Sequence, residues 1–186
     1  MKTSRPLQPG EYEDVAWVVP ATTKLKGPIF AVADDLGGLK GTQQEYNENN
    51  NTISVSPCTA VANWTNYGEG WPGTLGVPGL RISAIPHIGA KVDILVDSSS
   101  RSTTIGYMYF GVDRDSKPST LGGTVLVDPL IGFYIGVDPG TTVFQRGIPC
   151  IQEWCGCTFY FQVLIYDTGA TKDAAFSKGL EIVVGQ

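Results

Sequence analysis

Four cysteines carry the clearest covalent chemistry in this chain of 186 residues. Cys58 stands alone, whereas Cys150, Cys155 and Cys157 crowd into Pro149-Cys-Ile-Gln-Glu-Trp-Cys-Gly-Cys157. An even number of thiols in a Gly- and Pro-rich chain reads as two disulfides, with three connectivities open. Cys150–Cys155 with Cys58–Cys157 is the expected arrangement, since a Cys155–Cys157 ring is short and strained. The rival is a zinc ion held tetrahedrally by all four thiolates, although the paired C-x2-C knuckles usual in zinc sites are missing.

Catalytic constellations are harder to find. His87 is the single histidine, so any nucleophile–histidine arrangement would have to use it. Its surroundings, Pro86-His87-Ile88-Gly89, suit a turn, and no Gly-x-Ser-x-Gly elbow exists. The sequence singles out no pair among its 18 acids for glycoside hydrolysis. Asp34-Asp35 and Asp113-Arg114-Asp115 are loop acids that could offer oxygen ligands to calcium, though neither matches an EF-hand. The Gly-rich stretch from Tyr67 to Gly79 lacks the Lys-Ser/Thr and the following helix of a phosphate loop.

Aromatic residues offer a binding chemistry instead. Trp17, Trp64, Trp71 and Trp154 accompany eight tyrosines. Exposed rings stack on the apolar faces of sugars, and the alternative is that they fill the core. Trp64, Tyr67 and Trp71 lie in a polar, Gly-rich stretch and are expected at the surface.

Composition narrows the partners. Charged residues are 17% and the net charge is -5, with Lys and Arg scattered singly. That pattern offers no footprint for nucleic acid or an anionic membrane. No apolar stretch approaches the ~20 residues of a spanning helix. The opening Met1–Gly10 lacks the apolar region of a signal peptide, so either the chain is intracellular or a leader has been removed. The disulfide reading favours export. Asn50-Asn51-Thr52 and Asn63-Trp64-Thr65 would permit glycosylation in a eukaryotic secretory route.

The elements that position these residues are strands. Gly (23) and Pro (12) interrupt alternating apolar and polar runs at short intervals. Lys91–Asp97 alternates strictly, as do Leu80-Arg-Ile-Ser-Ala84 and Leu180–Val184. Thr158–Tyr166 is apolar on both faces and reads as a central strand, with Gln162 requiring a hydrogen-bond partner if buried. Ile105–Val112 is another strand, and Val125–Val137 must bend or bulge at Asp128-Pro129. Val15–Pro20, Ile29–Ala33 and Thr52–Ser56 are expected N-terminal strands, with a polar loop at 45–51. Thr171–Ser177 offers the one helical turn. The fold class is all-β, an antiparallel sandwich of Ig-like or jelly-roll-like type, with residues 1–62 extending a core of 63–186.

Residues 63–185 also carry a pattern of motifs: Tyr67-Gly-x-Gly-x-Pro-Gly-Thr-x-Gly-Val-Pro-x-Leu80, Pro86-x-x-Gly89, Gly122-Gly-Thr-x-Leu-Val127, Ile148-Pro149, Gly156-x-x-Phe-Tyr-x-Gln162, Asp167 and Ser177-x-Gly-Leu-x-x-x-x-Gly185. The pattern resembles a family of uncharacterised C-terminal domains of large secreted bacterial proteins. The resemblance implies a β-sandwich at an extracellular or cell-surface location and imports no catalytic residues. The cysteine cluster replaces a Pro-rich stretch of that family. The resulting expectation is a non-enzymatic structural, adhesive or assembly protein. Its partner would be itself, a larger secreted complex or a surface glycan, and no cofactor is expected unless calcium binds at Asp113 and Asp115. The alternative is a carbohydrate-binding module using Trp64, Tyr67 and Trp71.

Overall fold

The computed structural model describes residues 29–32 and 52–186. The chain forms two units, 1–57 and 58–186. In the first, β1 (Ile29–Val32) pairs antiparallel with β2 (Thr52–Val55). The expected strand at Val15–Pro20, the acids Asp34 and Asp35, Trp17 and the loop at 45–51 lie outside the described residues.

The second unit is all-β, with every strand pairing antiparallel. Its strands are β3 (Asn63–Tyr67), β4 (Gly79–Ile82), β5 (Ile94–Asp97), β6 (Thr104–Gly111), β7 (Asp113–Pro118), β8 (Thr124–Asp128), β9 (Ile131–Val137), β10 (Thr141–Phe144), β11 (Thr158–Tyr166), β12 (Ala174–Phe176) and β13 (Gly179–Val183). A large sheet runs β3-β13-β11-β6-β9, with β12 also paired to β11, and a smaller one runs β10-β5-β4. The small sheet lies over one face of the large one. Leu80, Ile82, Ile94 and Val96 from the small sheet meet Met108, Ile135, Val137, Val163, Ile165, Leu180 and Ile182 from the large one. Each such side chain contributes about 1.5–3 kcal/mol when fully buried.

Period-two alternation decides which residues enter this core. Val163 and Ile165 point inward, as the sequence predicts, and β11 lies centrally between β13 and β6. Pro129 separates β8 from β9 at the expected break, where its missing N–H ends the ladder. Thr171–Asp173 makes a short 3-10 turn.

The other face of the large sheet carries a third layer, the β7–β8 hairpin. Gln162, wholly enclosed at 0% exposure, fixes it there. Its Oε1 accepts from the Leu126 N–H at 2.9 Å, and its Nε2 donates to the carbonyls of Thr124 (2.9 Å) and Ser177 (3.0 Å). One amide thus meets the hydrogen-bond demand of three backbone groups. Gly68, at φ 66°, lets the Leu126 side chain approach within 2.7 Å of where a Cβ would stand.

Candidate functional site

The strands of the large sheet outrun the small sheet at one end, and an apolar cleft of about 270 Å³ opens there between them. Its floor is built from Phe110 on β6, Phe133 on β9, and Phe159 and Phe161 on β11. These face inward for the same reason as the core, by strand alternation. Phe110 lies 5.8 Å from Phe159 and 5.1 Å from Phe161, centroid to centroid. Ile82, Ile94 and Phe144 close the roof from the ends of β4, β5 and β10. Arg146 is the single charged residue of the lining, and it is exposed, as is Ile131 at 58%.

The segment that follows β10 covers part of this cleft. The Val92 N–H donates to the Arg146 carbonyl (3.1 Å) and the Ile148 N–H to Ala90 (2.9 Å). A 3-10 turn, Gln152–Trp154, then lays the Trp154 ring 5.1 Å from Phe159. Cys155 immediately afterwards bonds to Cys58, with Cα atoms 5.4 Å apart and 97 residues of separation.

This pairing corrects the expected connectivity. Cys150 and Cys157 are free thiols, so neither Cys150–Cys155 nor Cys58–Cys157 forms. Hydrogen bonds of the neighbouring backbone explain the outcome. Gln186 bonds to Ala60 and Ala62, while the Gly156 N–H donates to Val184 at 2.9 Å. This brings the segment after Cys58 and the segment around Cys155 against the same C-terminal run. Cys157 turns its thiol toward the Glu153 carbonyl at 3.3 Å, and Cys150 packs beside Gly89. The four-thiolate zinc arrangement is likewise absent, since two of its sulfurs are joined to each other.

The aromatic residues expected at the surface are placed differently. Trp64 is half-buried on β3 and packs on the core. Tyr67 points to the opposite face, where its hydroxyl donates to the Leu126 carbonyl at 2.7 Å. The Arg114 guanidinium sits 4.3 Å above its ring. Burial pushes the Tyr67 hydroxyl up to about 12, against the opposing pull of Arg114. Trp71 is half-buried against Gly122 and bridges to Phe176.

A different aromatic cluster is formed on the outer face of β6 and β9. Tyr107 lies 5.0 Å from both Tyr109 and Tyr134, edge to face. Tyr109 pairs across the strands with Gly132, and Ile105 with Gly136, so the small residues leave room for the rings. Tyr134 is 78% exposed and Ile105 59%. The sequence signal was available in the alternation of Tyr107-x-Tyr109 with Gly132-x-Tyr134-x-Gly136.

Asp113 and Asp115 lie on β7, which the sequence reading treats as a loop. Asp115 pairs with Lys117, whose hydrogen bond, joined by the Ser116 N–H, holds its carboxyl below the usual range. Among the described residues no group of three His, Cys, Asp or Glu side chains could hold a metal ion. His87 is exposed and its backbone bridges to Gly185. No described helix is long and apolar enough to cross a membrane.

A buried carboxylate outside the expected set is Asp167. It accepts from the Thr74 N–H (2.8 Å), the Thr74 hydroxyl (2.5 Å) and the Gly169 N–H (3.1 Å). Burial works to raise its carboxyl, and these donors together outweigh it and hold the group below its ordinary value. It ties the Gly-rich 67–79 stretch to the end of β11. No protein-family model matches the chain, and no curated protein matches it either.

Proposed function

We propose that the second unit is a non-catalytic structural and adhesive module that associates side by side with further copies or within a larger extracellular complex. The observation that carries this reading is the outer edge of β9. Among the described residues β9 pairs only with β6, so its far edge presents unpaired backbone groups. Its sequence, Ile131-Gly-Phe-Tyr-Ile-Gly-Val137, has no charge and no proline. Edge strands are ordinarily guarded by lysine, proline or a bulge, because an unguarded edge adds strands from neighbours. The opposite edge, β3, is Asn63-Trp-Thr-Asn-Tyr67 and is more polar. The extracellular location is supported by the Cys58–Cys155 disulfide, which persists in oxidising compartments, and by the resemblance of residues 63–185 to domains of exported proteins.

Sedimentation of the full chain over a range of concentrations tests the assembly. The expected mass rises with concentration, and Tyr134→Lys with Gly136→Lys holds it at one chain. A Cβ at Gly136 meets no atom within 4 Å, so the lysine fits the fold. A wild-type chain that stays monomeric throughout, and adheres to no surface, overturns the reading.

A second reading, glycan binding, is favoured by the tyrosine cluster of Tyr107, Tyr109 and Tyr134. Tyr134 is 78% exposed, and an exposed ring of this kind can stack on a pyranoside. A glycan array read with wild type, Tyr134→Ala and Trp71→Ala separates this cluster from the tryptophan expected earlier.

A further inference from the structure

We propose that the cleft between the two sheets binds a single-chain amphiphile: an apolar tail between the phenylalanines, and an anionic head, such as a carboxylate, on Arg146. The lining of the cleft divides by chemistry. Its floor is phenylalanine, its roof is aliphatic and aromatic, and its single charge is a guanidinium at the mouth. Pockets that bind small molecules combine an apolar body with a few placed polar groups in this way. The charge sets the sign of the head group. The other described arginines with a charged partner are Arg81, paired with Asp97, and Arg114, paired with Glu181. Arg146, by contrast, pairs with no carboxylate among the described residues. Its Nη1 donates only to the neighbouring Gln145 carbonyl, at 3.2 Å. An exposed guanidinium beside an apolar opening favours a planar oxyanion, which it can hold by two parallel hydrogen bonds.

The volume sets the tail. About 270 Å³ is roughly the room of nine water molecules at ~30 Å³ each, the space of an alkyl chain on the order of eight to ten carbons. The floor rings lie 5–6 Å apart, with Phe110 and Phe159 stacked at 28° and Phe110 and Phe161 tilted at 51°. The covering turn at Gln152–Trp154 is tethered by Cys155 to Cys58. Preorganisation of this kind lowers the cost of binding. The cleft shares Ile131 and Phe133 with β9, and one-to-one binding of a small ligand is read independently of whether the chain assembles.

Calorimetric titration of the full chain with a series of linear carboxylates, each below its micelle threshold, tests the proposal. Saturable one-to-one binding is expected, strengthening by about fourfold per added methylene from hexanoate to decanoate and then levelling off when the cleft is full. Arg146→Gln is expected to weaken decanoate about tenfold, the scale of one lost charge-assisted contact, while decanol binding is unchanged. Ile131→Trp, which fills the mouth from an exposed position, is expected to abolish both. Equal affinity for decanoate and decyltrimethylammonium overturns the proposal. So does affinity that climbs with tail length without levelling, or the absence of saturable binding at millimolar ligand. Decanoate that only dissociates self-associated chains, with no one-to-one complex, overturns it as well and assigns the cleft to a second copy.

Discussion

Replacing Gln162 by leucine and, separately, by glutamate tests how the third layer is held. Leucine removes the acceptor for the Leu126 N–H and the donor for the Thr124 and Ser177 carbonyls. A buried polar group left without a partner costs about 1–3 kcal/mol, an orphaned N–H more than a carbonyl that still has a second lone pair to offer. Three such groups at a site with 0% exposure therefore cost on the order of 3–6 kcal/mol, which is much of the ~5–15 kcal/mol that holds a domain folded. Glutamate keeps the shape and the acceptor but sets an oxygen against two carbonyl oxygens. It is best tolerated there when protonated, so its folded-state pKa is raised above the ~4.3 of an unfolded chain. Below that unfolded value both states carry the proton, and the variant lacks one donor. As pH rises toward the folded value, the unfolded chain ionises first, and the deficit grows by about 1.4 kcal/mol per unit of separation. Urea titrations of wild type and both variants at pH 4 and pH 7 read this directly. The gap between Gln162→Glu and wild type should widen with pH, while the gap for Gln162→Leu should not. Exchange of the Leu126 amide should quicken in Gln162→Leu. A pH-independent glutamate deficit, or an unaltered Leu126 amide, would refute the reasoning.

Three other outcomes follow from the same structure. Reduction of Cys58–Cys155, which encloses a separation of 97 residues, should cost up to ~4.7 kcal/mol by loop entropy, seen as a lower melting temperature in dithiothreitol. Peptide mapping without reductant should find Cys150 and Cys157 alkylated, and a Cys150–Cys155 peptide would disprove the pairing. The Asp167 carboxyl is held low, so its contribution is full above the unfolded value near ~3.9 and fades as pH falls through the folded one. The acid limb of the stability curve should flatten in Asp167→Asn, and an unchanged limb would remove Asp167 as its source.

The sequence made the core strands legible where one face is buried and the other wet. Leu80–Ile82, Ile94–Asp97 and Leu180–Val183 alternate because each has a sheet behind it and solvent or a partial cover in front. Two of the strands that escaped have residues that serve something other than the core, while β12, all buried, fell inside the expected helical turn at Thr171–Ser177. β7, Asp-Arg-Asp-Ser-Lys-Pro, has no apolar face and is a strand only because β8 pairs with it. β3 is a polar edge strand, so its Trp64 and Tyr67 read as surface aromatics, whereas the structure holds both half-buried. The pairing of Cys58 was not legible at all, since it depends on which segments lie beside the C-terminal run. Gln162 was legible as a polar residue needing a partner, although the hairpin that supplies the partner was not. The cleft was illegible for a further reason. It arises from the unequal lengths of strands in two sheets that interleave along the chain.

The disulfide also determines how the molecule meets a mechanical load. Cys58 opens the second unit, and Cys155 is three residues before β11, near its far end. Tension between Cys58 and the C-terminal end of this unit crosses directly through sulfur to Cys155. The intervening residues, which carry strands β3 to β10, are bypassed by that force and cannot be drawn out while the bond lasts. Within this unit, the run from Cys155 to Gln186 is the part that can lengthen under a pull.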